Sequence, residues 1–335
     1  MLAALACLAL CTTVLAACGG DDEPEAGGAQ ELLKQTFGSG ASAIDNGRLN
    51  FAFQLDPKGL LALGGPIKLV ADGPFTVPGN GQLPHFKVDF AATLAREIFR
   101  GTALSTGRAA YLRLDGRNYK VDREFVAGLR EGLADAEAKQ QPGLKALGID
   151  PLRWISGAQE RGEETIDGVD TTRISANVKV ATLLADIDKL LSQAGGSAGG
   201  LGGLLSPQIR KQISDGVKTA RVDVWTGTDD KILRQLAVAI DFAFAGGKTP
   251  ISGLESGKIN LRLSLSDVNE TTLSVKAPIG PRPLRDVTGG EFLRGLGNGL
   301  TGKGSSIAGA PFLACITGAR GNTTSLVRCI SKLAE

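Results

Sequence analysis

The chain has 335 residues, with 37 Lys and Arg set against 35 Asp and Glu, and a single histidine. A net charge of +2 and the lack of any basic aromatic cluster leave no electrostatic footprint for nucleic acid. The scarcity of His and the absence of a His/Cys cluster leave no ligand set for a metal, so neither metal nor cofactor is expected.

Residues 1–18 carry no charge and read as the apolar segment of a secretory signal. The run ends at Cys18 and gives way to "GGDDEPEAGGA", which has nothing to bury. Leu15-Ala16-Ala17-Cys18 resembles the lipobox of bacterial lipoproteins, in which the signal is cut before a diacylated cysteine. The resemblance implies a signal peptide over 1–17, lipidation of Cys18 and a lipidated flexible tether over 18–29. It places the chain outside the cytoplasm, anchored to the outer face of the bacterial cell membrane. No Lys or Arg precedes the run, unlike an ordinary signal. The alternatives are an uncleaved anchor helix, since about 18 apolar residues just span a bilayer, and secretion without an anchor.

Folded structure is expected from residue 30, with a short helix in "QELLKQTF". In "RLNFAFQLD" the residues Leu49, Phe51, Phe53 and Leu55 alternate with polar or small ones, the period of a strand with one buried face. "PHFKVDFAA" repeats this with Phe86, Val88 and Phe90, and "AAYLRLDGRNYKVD" turns at Asp115-Gly116, a hairpin signal. Asp122 is placed to cap a helix carrying Phe125, Val126, Leu129 and Leu133 on one side, and Asp150-Pro151 opens another. "ERGEETIDGVDTTRISANVKV" reads as two strands about Asp167-Gly168, running into a helix striped by Leu183, Leu184 and Ile187. Ser206-Pro207 starts a further helix. A long hairpin turns near "GTDD", with Leu236, Val238, Ile240 and Phe242 on its inner side, and "GKINLRLSLSDVN" and "TTLSVKAP" are expected to complete the sheet. One-sided strands of this kind specify an antiparallel sheet with helices over one face, an α+β fold.

If Cys7 and Cys11 leave with the signal and Cys18 carries lipid, Cys315 and Cys329 remain as a pair. In an oxidising compartment that pair reads as a disulfide worth about 3 kcal/mol for so short a loop. Two buried free thiols are the alternative.

"GEETIDGVDTTRISANVKVATLLADI", "ARVDVWTGTDDKILRQLAVAI" and "AAYLRLDGRNYKVD" together resemble actinobacterial lipoproteins of the LppX/LprG type, similar in architecture to the LolA/LolB lipoprotein carriers. The resemblance spans about residues 30 to 280, and the domain it implies is set at 30–284. It implies a strongly curved antiparallel sheet, a half-barrel, with helices over its concave face and an apolar cavity between them. Binding and carriage of an acyl lipid or glycolipid, as a monomer, is the implied activity. The cavity candidates are Phe51, Phe53, Phe86, Phe90, Val222, Val224, Leu236, Val238, Ile240 and Phe242 from the sheet, with Leu183, Leu184 and Ile187 from a helix. "GGSAGGLGG" is the candidate hinge. Residues 285–335, a helical extension with the expected disulfide, fall outside the resemblance. Alternating apolar residues suit a filled core equally well, and the second reading is an envelope module that binds protein or polymer through its surface. No enzyme is expected: His85 stands alone, and "GKGSSIAGA" lacks the spacing of a nucleophile elbow.

Overall fold

The computed structural model describes residues 26–38, 42–59, 65–78, 82–138, 150–195, 207–244, 254–270, 273–288 and 310–332. The signal segment, Cys18 and residues 196–203 of the glycine run lie outside them.

The strands are β1 (Asn46–Lys58), β2 (Ile67–Thr76), β3 (His85–Leu94), β4 (Glu97–Thr106), β5 (Ala110–Leu114), β6 (Arg117–Lys120), β7 (Ile155–Ile166), β8 (Val169–Val178), β9 (Val217–Gly227), β10 (Leu233–Ala243), β11 (Ser256–Ser266) and β12 (Arg282–Pro283). All twelve join one sheet in the order β12-β6-β5-β4-β3-β2-β1-β11-β10-β9-β8-β7. Two antiparallel meanders, β1 to β6 and β7 to β11, therefore meet where β1 pairs with β11, and only the short β12 runs parallel to its neighbour. The helices are α1 (Ala26–Phe37), α2 (Arg123–Ala138), α3 (Pro151–Trp154), α4 (Val180–Gly195), α5 (Pro207–Gly216), α6 (Arg285–Thr288), α7 (Ala310–Ala319) and α8 (Thr323–Ser331). The fold is α+β.

Local chemistry sets the turns. Asp115 and Gly116 have φ of 49° and 77°, and Asp167 and Gly168 have 50° and 82°, the paired left-handed conformations a two-residue hairpin loop requires. Asp150 caps α3 by accepting the Leu152 N–H at 3.3 Å, with Pro151 in the first turn where no N–H is needed. Within the sheet, large rings stand opposite glycine: Phe90 faces Gly101 and Phe242 faces Gly257. A Cβ at Gly101 would lie 2.5 Å from the Phe90 ring and one at Gly257 2.7 Å from the Phe242 ring, so each ring rests on bare backbone.

Three expectations are corrected. α1 starts at Ala26, inside the expected tether, because Ala29 and Leu33 are fully buried against the sheet. β2 and β4 carry no strand expectation from the sequence, yet they occupy the middle of the first meander. "TTLSVKAP" does not complete the sheet: β1 already has β2 on one side and β11 on the other. Of that segment, Leu273 donates its N–H to Thr76 Oγ1 at 2.9 Å and residues 273–278 form no strand.

Candidate functional site

Direct cross-strand partners point to the same face, so the register shows which side chains share it. One row reads Phe99, Ala92, Leu69, Phe53, Leu261, Val238, Val222 and Ala176 from β4 to β8. A second, two residues along each strand, reads Leu114, Gly101, Phe90, Ala71, Phe51, Leu263, Leu236, Val224 and Ile174. Neither row contains a polar side chain. The apolar face is continuous across eight or nine strands.

Helices bury this face at its two ends. Over β7 to β10, Ala29, Leu33 and Phe37 of α1 and Trp154 of α3 pack with Ile174, Val222, Val224, Leu236, Val238 and Ile240 in one core, and Leu183 and Leu184 of α4 close on it. Over β4 to β6, Phe99 is buried by Ile316 and Ala319 of α7 and Leu326 and Cys329 of α8, while Leu114 and Tyr119 meet Val287 of α6 and Val327 of α8. Between these covers Phe51, Phe53, Leu55, Leu69 and Phe86 are only half-buried, and Phe90, also half-buried, packs against the Leu114 and Tyr119 cluster under the second cover. α2 packs on α4 and buries Val126.

The second cover, formed by the C-terminal extension, is pinned three ways. Cys315 and Cys329 form a disulfide with Cα atoms 5.8 Å apart, joining α7 to α8. Thr323 Oγ1 accepts the Arg100 N–H at 3.0 Å and donates to the Arg100 carbonyl at 2.7 Å, extending the β4 ladder where β5 has turned away. The Asp115 carboxylate accepts the N–H groups of Thr323 at 3.1 Å and Thr324 at 2.7 Å, the free donors of the first turn of α8. Burial pushes the Asp115 carboxyl up, but those N–H groups and Arg117 outweigh it and hold it below the usual carboxylate range. Asn322 completes the cap by accepting the Ser325 N–H at 2.8 Å.

The sequence-predicted lining residues thus divide. Val222, Val224, Leu236, Val238, Ile240, Leu183 and Leu184 come together in a packed core. Phe242 is buried on the same face, its ring tilted against Phe244 at 5.5 Å. Phe51, Phe53 and Phe86 lie in the half-buried stretch, and Phe90 packs against the cluster under the second cover. Ile187 is in α4, but its side chain is outside the described residues, as is Cys18. Sequence reasoning missed Leu69, Phe99 and Leu114, and the covering role of the extension.

Two depressions are open: one of ≈ 470 Å³ has a mixed lining that includes Phe90, Ile98, Arg100, Asp115 and Thr323, and one of ≈ 520 Å³ is lined chiefly by polar side chains of the opposite face; neither is an enclosed apolar cavity of about 1,000 Å³, beyond the usual small-ligand range. Among the described residues no group of three His, Cys, Asp or Glu side chains could hold a metal, and no helix is long and apolar enough to cross a membrane. His85 lies beside Gly107, where a Cβ would come within 2.6 Å of its Nε2.

The arrangement is that of an α+β protein with a one-sided sheet whose apolar face is covered at its ends and half-open at its centre. Its fold is similar to LprF from Mycobacterium bovis, at 14% identity and a TM-score of 0.40, over 76% of this chain and 98% of that one. It is also similar to the lipoprotein LppX from Mycobacterium tuberculosis, at 16% identity and a TM-score of 0.37, over 74% and 99%. A domain assigned to outer membrane lipoprotein sorting, from Vibrio parahaemolyticus, follows at 8% identity and a TM-score of 0.20, over 74% and 95%. Likenesses this distant carry no argument about ligand or activity. No family model matches the chain, and no curated protein does.

Proposed function

We propose that this chain is a lipid-anchored protein of the bacterial envelope that holds an acyl lipid or glycolipid against the apolar face of its sheet. The observation that supports it is the central stretch of that face, where Phe51, Phe53, Leu69 and Phe86 remain half-exposed between two helical covers. Apolar surface left in water costs roughly 25 cal/mol per Å², and a contiguous exposed patch of it marks a binding site. In this reading the sheet curls about the ligand as a half-barrel. α2, which leaves β6 at one end of the sheet and packs on α4 at the other, closes the open side. Cys18 carries the diacyl anchor, and the tether sets the domain off from the outer face of the membrane. The stretch offers apolar contact and no nucleophile or base, so its chemistry is binding and release.

The alternative, a surface-binding module with a filled core, draws support from the tight packing over β7 to β10. Native mass spectrometry and organic extraction of the full-length chain, purified from a lipid-containing host, separate the two. The carrier reading expects acyl lipid at near-stoichiometric amount, lost in the Phe51→Asp, Phe53→Asp double variant. A clean apo mass that takes up no lipid from envelope extract overturns it.

A further inference from the structure

Charge is sorted by end in the part of the sheet ordered β1-β11-β10-β9-β8-β7. Strands β9 and β11 begin where β1, β8 and β10 finish. Lys58 at the close of β1, Lys179 just after β8, Lys218 and Arg221 early in β9 and Lys258 early in β11 therefore stand at one end. All are exposed. Lys258 reaches Asp241 at 3.7 Å, and the other four enter no ion pair among the described residues. The acids of the same strands at this end are Asp56, Asp241 and Glu255, so cations are in excess. The opposite end reverses the sign: Asp45 precedes β1, Asp167 and Asp170 flank the β7–β8 turn, Asp229 and Asp230 lie in the β9–β10 turn and Asp267 follows β11. Arg48 and Arg234 at that end are already paired with Asp72 and Asp230. β10 has 11 residues, which sets the two ends roughly 35 Å apart.

The start of the folded chain is aimed at the basic end. α1 packs on α3, which leads into β7 there. Its last turn lies toward the acidic end, where Thr36 Oγ1 and Thr226 Oγ1 are hydrogen-bonded at 2.8 Å, one residue short of the close of β9. Ala26, the first residue of α1, therefore points back toward Lys179 and Lys218. Cys18 stands eight residues before Ala26, at most about 28 Å of extended chain. A chain that leaves in this direction passes the basic end without doubling back along α1.

We propose that the basic end, Lys58, Lys179, Lys218, Arg221 and Lys258, rests on the surface of an anionic phospholipid bilayer. The inference rests on the reading of Cys18 as a membrane anchor. Each basic residue held near an anionic bilayer strengthens attachment roughly fivefold, and the attraction fades within a Debye length, so the cations act only if the tether is short and this end faces down. Both conditions are met. Anchoring also confines the domain near the bilayer, so a contact too weak to recruit the protein from solution suffices to orient it. The acidic end in the same place would set Asp45, Asp167, Asp229 and Asp267 against like charge.

Lysine labelling reads the orientation. The full-length chain carrying its diacyl group is reconstituted on vesicles of phosphatidylcholine alone and of an equal mixture with phosphatidylglycerol, treated with a water-soluble acylating reagent and mapped by mass spectrometry. On the anionic vesicles Lys58, Lys179, Lys218 and Lys258 are expected to react about fivefold more slowly than on the neutral ones, with Lys87 and Lys120 at the far end unchanged and the contrast lost in high salt. The double variant Lys218→Glu, Arg221→Glu, at exposed positions, is expected to abolish the protection of Lys58 and Lys258 with unaltered thermal melting. Equal reactivity on both kinds of vesicle, protection shared by Lys87 and Lys120, or protection that survives the double variant overturns the proposal. A Cys18 peptide whose mass shows no diacyl group refutes the anchor alone; the same labelling in an excess of anionic vesicles then still decides whether the basic end meets the bilayer.

Discussion

Removing the disulfide by the double substitution Cys315→Ala, Cys329→Ala should release the C-terminal cover while leaving the rest of the sheet in place. The two cysteines are 14 residues apart. Closing a loop of that length is worth about 3 kcal/mol in the chain-entropy model. Cys329 is 2% exposed, so Ala keeps an apolar side chain there and introduces no unsatisfied group. The cover is attached through α7 and α8 to β4, β5 and β6 and has no part in the core over β7 to β10. Its opening is therefore expected to be local. At about 1.4 kcal/mol per tenfold, 3 kcal/mol corresponds to a loss of roughly two orders of magnitude in amide protection. Hydrogen exchange read by mass spectrometry should show that loss in peptides from 310–332 and in β4 around Phe99, with peptides from β8 to β10 unchanged. Protection within about twofold of the parent across 310–332 would refute the reasoning.

Two further outcomes follow from the same cover. Phe99→Ala empties a fully buried position beneath α7 and α8 and should destabilise the protein by about 3–5 kcal/mol in urea titration, whereas a loss under about 1 kcal/mol would mean that the cover does not seal that ring. Asp115 has its carboxyl held below the ordinary value of about 3.9, so its contribution is present above that pH and is lost as the pH falls through the folded value. Exchange protection of α8 should therefore drop in acid below about pH 4 in the parent, and Asp115→Asn should already lack that contribution at neutral pH and show a flatter acid profile.

The sequence made β1, β3 and the β5–β6 and β7–β8 hairpins legible because each alternates large apolar with polar residues or carries an Asp-Gly turn. β4 escaped because its inner positions, Gly101, Ala103 and Ser105, are small or polar, and Gly101 must be small to lie beneath the Phe90 ring. β2 was obscured by Gly73-Pro74 in mid-strand, a pair that argues against a strand until the register is known. Phe51, Phe53, Val222, Val224, Leu236 and Val238 share one face of the sheet, but periodicity reports a shared side and not what stands upon it. Val238 and Phe53 are linked through Leu261 in one row, yet one is packed under helices and the other is half-exposed. The difference is set by where α1, α4 and α8 dock, which depends on contacts far apart in the chain. The hydrogen bonds from Thr323 and Thr324 to Asp115 join residues 208 and 209 positions apart, and no local pattern announces them.

Photocrosslinking tests the central claim most directly. The full-length chain is loaded with a palmitate analogue bearing a diazirine in its acyl chain, irradiated, and digested for peptide mapping. Adducts are predicted in the peptides of β1, β2 and β3, around Phe51, Phe53, Leu69 and Phe86, with none in the outward-facing tip of the β7–β8 hairpin. Adducts scattered over both faces, or no specific labelling that competes with unlabelled palmitate, would contradict the assignment of the half-open apolar strip as a lipid site.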